Sequence, residues 1–351
     1  MTNHVAVAIP GDLDTPTGGY AYDRRVIDEL GALGWEVEHI PLGPSFPTPT
    51  TEDMSDAAQV LHSVSPDTPL VIDGLALGAL EPSVVAEIAA PIVALIHHPL
   101  AHEGGLGDAR REYLHATEQA NLAMSAAVVV TSPHTAMLLQ TDYGVPESAV
   151  TVAEPGTDRP TDARMPSSPP LILSVGSQIR RKGHDVLVQA LGMISELEWR
   201  AVVAGDARDQ AVASELVELI AAHGLQERVE IPGAVNSDSL HGLYREASVF
   251  ALATRFEGYG MVFSEAMTYG LPIVTCRTGA VPDTVGEGGA LLVAPDDPAG
   301  MAAALTTVLT DVEVAASLAS ASSAAGLTLP RWEETGRQIA ATLNAVMEGR
   351  S

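Results

Sequence analysis

A doubly wound α/β architecture in two domains is predicted by three observations. Short apolar runs alternate with helix-patterned stretches from one end of the chain to the other, as strands laid parallel and covered by helices require. That alternation is interrupted once, by the polar, proline-rich stretch from Gly156 to Pro170, and then restarts. The chain has 351 residues, 46% of them hydrophobic, which is enough material for two separate cores.

In the first half, strands are expected over Val5–Ile9, Glu36–Ile40, Leu70–Ile72, Ile92–Ile96, Ala127–Val130 and Val150–Ala153. Between them, helical patterns run over Tyr22–Leu33, Pro82–Ala89, Arg110–Met124 and His134–Gln140. After the linker come strands over Leu171–Val175, Arg200–Ala204, Val229–Ile231, Val249–Ala253, Ile273–Thr275 and Ala290–Val293. One long helix is expected over Pro298–Ala321, and an amphipathic helix runs from about Trp332 to Met347. The domains are placed at 1–165 and 166–329. In such folds ligands bind beyond the carboxyl ends of the strands, so the residues just after strands are the ones to inspect.

Charge narrows the function classes. Lys+Arg total 18 against 45 Asp+Glu, a net charge of −27, and this excludes the basic stripe that nucleic-acid binding needs. The single cysteine, Cys276, excludes an internal disulfide or a cysteine metal cage. No apolar run approaches the ~18 residues of a membrane span, and the first residues form a strand rather than a signal peptide. A cytoplasmic protein without a transmembrane segment is expected. Against this acidic background Lys182, the only lysine, stands out in Gln178-Ile179-Arg180-Arg181-Lys182-Gly183. Three cations after a strand and before a helix suit an anionic group, although a solvated loop end has the same composition.

Three further constellations lie at strand ends. Gly18-Gly19 precedes the first helix, where paired glycines expose amides to a ligand or simply form a turn. Asp12 and Asp14 just before them read as part of that turn and not as metal ligands. His97-His98 follows the strand Ile92–Ile96, and either histidine can donate to a ligand or cap the strand end. Two imidazoles with no carboxylate at ligand spacing make no metal site. The most specific constellation runs from Arg255 to Pro272. Glu257 lies in a loop, Gly258 and Gly260 bend the chain into a helix ending at Gly270, and Glu265 sits in that helix's first turns. This puts two carboxylates and the amides of Gly260, Met261 and Val262 around one spot. Carboxylates accept from sugar hydroxyls, and helix-start amides hold phosphate oxygens.

The Glu257-x7-Glu265 spacing resembles that of the family 4 retaining glycosyltransferases of GT-B fold. Asp206, the Ile231-Pro232-Gly233 turn and Thr278–Asp283 follow the family's order. The resemblance is specific from Leu171 to Pro295, and in the first half it rests on Gly18-Gly19 and His97. It implies two Rossmann-like domains facing a central cleft, with the last helix, 330–350, crossing back to the first. It implies a nucleotide diphosphate sugar donor, GDP- or UDP-linked, on the second domain, and a hydroxyl acceptor (glycan, lipid or small molecule) on the first. Lys182 and Arg181 would neutralise the diphosphate, and Glu257 would face the donor sugar. Glu265 would bind the ribose, with Gly260, Met261 and Val262 on sugar or phosphate and Ile231 near the base. Gly18 and Gly19 would close on the phosphates, and His97 would touch the sugar, with His98 in its place if the register differs by one. The acceptor would attack from the face the phosphate leaves, with no metal and no cofactor. One departure stands out. Many members carry arginine where this chain has Ser177, so Arg180 or Arg181 supplies the second charge, or phosphate binding is weaker. A nucleotide-sugar-binding protein without catalysis is the alternative reading.

Overall fold

The structure, a computed structural model, describes residues 3–286 and 288–349. The chain up to Gly156 and the stretch from Pro330 onward form one compact unit, and Thr157–Leu329 forms the other. The first unit contains β1 (Asn3–Pro10), α1 (Gly18–Ala32), β2 (Trp35–Leu42), α2 (Thr51–His62), β3 (Leu70–Asp73), α3 (Gly74–Leu77) and α4 (Pro82–Ala86). It continues with β4 (Ile92–Ile96), α5 (Asp108–Ala123), β5 (Ala127–Val130), α6 (Pro133–Asp142) and β6 (Val150–Val152). The second unit contains β7 (Leu171–Val175), α7 (His184–Met193), β8 (Arg200–Ala204), α8 (Gln210–Ala222), β9 (Val229–Gly233), α9 (Ser237–Glu246) and β10 (Ala247–Leu252). It ends with α10 (Met261–Thr268), β11 (Ile273–Cys276), α11 (Val281–Val285), β12 (Ala290–Val293), α12 (Pro298–Thr310) and α13 (Val312–Gly326), and α14 (Trp332–Glu348) returns to the first unit.

Each unit holds one six-stranded parallel sheet, ordered β2-β1-β3-β4-β5-β6 in the first and β12-β11-β10-β7-β8-β9 in the second. Inner strands β3, β4, β5 and β11 are buried at every residue, whereas edge strands β2 and β9 alternate between covered and exposed positions. Helices on both faces explain this, because a central strand covered twice must be apolar throughout. Each strand order reverses once. β1 leads through α1 to β2 on one side, while its neighbour β3 leads to β4 on the other. In the second unit β7 leads to β8, and its neighbour β10 leads to β11 the opposite way. The loops after these neighbours diverge, which opens the sheet edge for a ligand.

Three elements differ from expectation. The stretch 157–165 packs with the second unit and not the first, because Arg164 donates to the carbonyls of Gly270 at 2.9 Å and Ala247 at 2.8 Å. The single helix expected over 298–321 is two helices bent by 98°. At the bend Asp311 leaves helical geometry, and its side chain accepts from the amides of Glu313 and Val314 to start α13. The strand expected to end at Ile231 continues through Pro232 to Gly233, whose carbonyl accepts from Gly205 at 2.9 Å, so there is no turn at that point. Among the described residues no single helix is long and apolar enough to cross a membrane. α14 lies on α1 and β6: Trp332 meets Tyr22 edge-on at 5.8 Å, and Thr335 donates to the Glu154 carbonyl at 2.7 Å.

One buried acid makes the first unit's stability pH-dependent. Glu118 in α5 is fully covered and accepts from the Leu100 amide at 3.0 Å. Burial pushes its carboxyl up from 4.5 to about 8. A neutral buried acid stabilises fully below its unfolded value and loses that contribution as pH rises toward 8. Glu118→Gln should therefore gain stability relative to wild type between pH 5 and pH 8, by about 1.4 kcal/mol per pH unit at most. Denaturant unfolding at a series of pH values measures this, and a pH-independent difference would contradict it.

Candidate active site

The second unit's site grows from the gap between β7 and β10. After β7 the chain makes a 3-10 turn at Arg180–Lys182 and enters α7 through Gly183. Gly183 has φ 65°, and a Cβ there would lie 1.8 Å from the Ala253 carbonyl oxygen, so only glycine lets this turn sit on the end of β10. Close seating brings Lys182 Nζ to 2.7 Å from Glu257 Oε1 and Arg181 Nη1 to 3.4 Å from Glu257 Oε2. Thr254 Oγ1 lies 3.0 Å from the same Oε1, and the Glu257 carbonyl accepts from Ala280 at 2.9 Å. Burial by itself would raise the Glu257 carboxyl, but the charges of Lys182 and Arg181 outweigh it and hold the group below the usual carboxylate range.

The geometry chooses between the two neighbouring arginines. Arg180 turns away to Glu215 and Asp185 with about half its side chain exposed, whereas Arg181 is 15% exposed and donates to the Phe256 carbonyl as well as to Glu257. Arg255, a third candidate by position, is bound to Asp185 at 2.8 and 3.0 Å and to Asp296 at 2.7 Å. Ser177 therefore leaves the site with two cations, Lys182 and Arg181. Behind them His184 is buried, and burial, reinforced by Lys182, pushes it down to about 4. As a neutral ring it donates through Nε2 to the Gly176 carbonyl at 3.0 Å.

The start of α10 lies in the same loop as Glu257. Gly260 is its N-cap at φ 92°, where a Cβ would press to 2.6 Å from the Phe263 ring. No side chain caps this helix, so the amides of Met261 and Val262 lack intrahelical and side-chain partners alike. Glu265, one helical stretch later, accepts from Tyr244 Oη at 2.8 Å, and Tyr244 stacks on Tyr269 at 5.2 Å. Burial raises its carboxyl, Tyr244 opposes that, and Asp158 adds to it. The two glutamates are thus unlike: Glu257 is an anion held between cations, and Glu265 is held by a neutral phenol. Ile231 is partly buried and packs against the core, and Glu230 and Pro232 are the exposed residues of β9.

The first unit's residues gather where β1 and β3 part. Gly18 and Gly19 open α1, with Thr17 capping the Tyr20 amide and Tyr20 Oη donating to the Pro10 carbonyl at 2.7 Å. His97 Nε2 lies 3.0 Å from Asp23 Oδ1 and 3.4 Å from Asp73 Oδ2, and its ring meets Tyr22 edge-on at 5.3 Å. His98 instead turns to Glu103 at 2.6 Å. The premise that no carboxylate lies near these histidines fails in space: Asp23, Asp73 and His97 offer ligand-type atoms within 4.8 Å of one another. Asp23, Asp73 and Thr254 are the residues that sequence reasoning missed. Asp23 did leave a signal, since it occupies the buried face of α1 with Val26 and Leu30, where an acid needs a partner.

Comparisons with known proteins show what the chain is similar to. The model of the glycosyl transferases group 1 matches residues 159–324, the stretch that carries Lys182, Glu257 and Glu265. This stretch of the chain is similar to that family. A D-inositol 3-phosphate glycosyltransferase of Xylanimonas cellulosilytica is 33% identical over 227 residues, which are 59% of this chain and 54% of that relative. The chain thus spans about half the length of the relative it matches. The solved sucrose-phosphate synthase of Thermosynechococcus elongatus superposes with a TM-score of 0.83 at 21% identity, covering 99% of this chain and 100% of that one. Anabaena HepE, solved with UDP-glucose, superposes with a TM-score of 0.76 at 17% identity, covering 97% and 99%. The fold is GT-B.

The stability of the β7–β10 seam is expected to depend on the Lys182–Glu257 pair. Lys182→Met leaves Glu257 buried with Arg181 as its remaining cation and should cost about 1–3 kcal/mol at pH 7. The deficit should shrink as pH falls, because without Lys182 the buried Glu257 is easier to protonate than in wild type, and Lys182→Met/Glu257→Gln should recover part of it. Chemical denaturation of the three proteins measures both effects. An equal deficit at every pH would show that the pair does not govern the seam.

Proposed function

We propose that the chain is a retaining glycosyltransferase that takes a sugar from a nucleotide diphosphate sugar and places it on a hydroxyl acceptor. The observation that carries this reading is the convergence of Lys182 and Arg181 on a strand-order reversal, beside the uncapped start of α10. In a chain of net charge −27, two shielded cations and open helix-start amides suit a diphosphate. An ammonium carries three donors, so Lys182 can hold Glu257 and a phosphate oxygen together.

In this reading the bond between the anomeric carbon and the diphosphate breaks while the acceptor oxygen forms its bond to that carbon on the same face. The acceptor's proton passes to the departing phosphate oxygen. Lys182 and Arg181 stabilise the charge that grows on the leaving group, and such stabilisation is commonly the largest catalytic contribution. With these cations the reaction needs no metal ion. Glu257, kept anionic, orients the donor sugar, and Glu265 accepts from the ribose hydroxyls. Met261, Val262 and Gly260 offer amides to sugar and phosphate oxygens, and the Ile231–Gly233 backbone meets the base. In the first unit, the resemblance assigns Gly18 and Gly19 to phosphate contact and His97 to sugar contact, and it assigns the acceptor to that unit's surface. HepE's complex with UDP-glucose makes the uridine nucleotides the first donors to try.

Thermal shift with UDP, GDP and UDP-glucose is the first test. A nucleotide at 100 times its Kd stabilises by about 2.7 kcal/mol, and Lys182→Ala should abolish the shift. Turnover with the matching sugar donor should fall about 10²–10³-fold in that variant, and the product anomer read by NMR should match the donor's. Binding of every nucleotide without transfer to any of a broad acceptor panel would overturn the enzymatic reading.

A further inference from the structure

His97 carries an arrangement that sugar contact by itself does not require. Its Nε2 points at two carboxylates, Asp23 Oδ1 at 3.0 Å and Asp73 Oδ2 at 3.4 Å, and both aspartate side chains are 1% exposed. The elements fix both acids. Asp23 sits on the buried face of α1, and Asp73 ends β3, where its Oδ1 caps α3 through the Leu75 amide at 2.9 Å. Asp73 Oδ2 has no hydrogen-bond partner of its own. A buried carboxylate oxygen so placed is costly unless a cation stands next to it.

Two anionic oxygens around Nε2 require a proton on that nitrogen. With one positive ring and two carboxylates the cluster carries a single net negative charge, and with a neutral ring it would carry two. The remaining ring nitrogen, Nδ1, has no partner among the described residues, and the side chain is 20% exposed. We infer that Asp23 and Asp73 are positioning residues that clamp His97 by its Nε2–H, so that the ring enters the reaction as a cation with Nδ1–H as its one donor toward a substrate oxygen. This rests on the glycosyltransferase reading for the identity of the oxygen, a hydroxyl of the transferred sugar or of its acceptor, but not for the state of the ring.

The surroundings support the clamp. Tyr22 holds the ring from the side, with its own hydroxyl donating to the Ala153 carbonyl at 2.8 Å, and Thr131 donates to the His97 carbonyl at 3.1 Å. A Cβ on Gly19 would stand 3.6 Å from Cδ2 and 3.7 Å from Nε2, so the glycine loop lies along the clamped edge and not on the Nδ1 edge. Burial opposes the charged ring, but the two aspartates outweigh it and raise His97 to about 10. Burial also raises Asp23, to about 6, against the pull of His97 and Arg24. The ring is therefore a cation up to about pH 10, and below about pH 6 the clamp loosens as Asp23 takes a proton.

The test reads the ring directly. In protein labelled with 15N-histidine, the His97 signals, assigned by their absence in His97→Gln, should show both nitrogens protonated from pH 6.5 to 9. In Asp73→Asn, which keeps a capping side chain at that position, the ring should titrate between pH 6 and 9. Asp23→Asn gives a second variant should the first fail to fold. Asp73→Asn should then lower kcat about tenfold at pH 8.5 and little at pH 6.5, with the donor KM unchanged. A neutral His97 in the wild type at pH 7.5 would overturn the inference. So would stoichiometric broadening of the His97 signals by added Mn2+, which would make the cluster a cation site, or a pH profile identical in variant and wild type. Absence of any transferase activity in the wild type would instead strike the functional reading, since the ring signals need no turnover.

Discussion

Glu257, a buried carboxylate between Lys182 and Arg181, is the interaction on which the second unit's site depends. An unpaired carboxylate at that depth would be too costly to retain, and two cations without it would repel each other across the seam of β7 and β10. The pair requires close seating of two loops, and that seating requires Gly183, because any side chain there would run into the Ala253 carbonyl. The backbone bond from Ala280 to Glu257 then ties the loop after β11 to the same point. The proposed phosphate contacts and local stability thus rest on one set of residues.

The two units apply opposite signs to one topological device. Each is a parallel sheet whose strand order reverses once, and each gathers buried charges at that reversal. In the second unit one carboxylate sits between two cations, and in the first one imidazole sits between two carboxylates. In both, the buried groups of opposite charge fix one another's geometry. The arrangement fits an acidic chain, in which Lys182, Arg181 and His97 are each fixed in place by buried acids.

The fold was legible because burial on both faces forces central strands to be apolar throughout, and such runs show in one dimension. Elements whose formation depends on local polar contacts were harder to see. α2 begins at a Thr50 cap and buries only Ala57 and Leu61 along one side, too thin a stripe to announce a helix. The break at Asp311 depends on its side chain turning to cap α13, although composition favours one continuous helix there. β9 runs on through Pro232 because an edge strand tolerates proline on its unpaired side.

By itself the sequence determined the two-unit α/β plan, the linker region, and the presence of a lone lysine and of Glu257 and Glu265 at their seven-residue spacing. These are properties of order along the chain: alternation, interruption and spacing. Only the tertiary structure decided which arginine joins Lys182, because residues adjacent on a 3-10 turn point about 120° apart and composition cannot say which one turns inward. Only it decided that His97 stands between Asp23 and Asp73, 74 residues from one of them. A contact between distant segments is made by the crossing of strands and helices, and no local pattern records it.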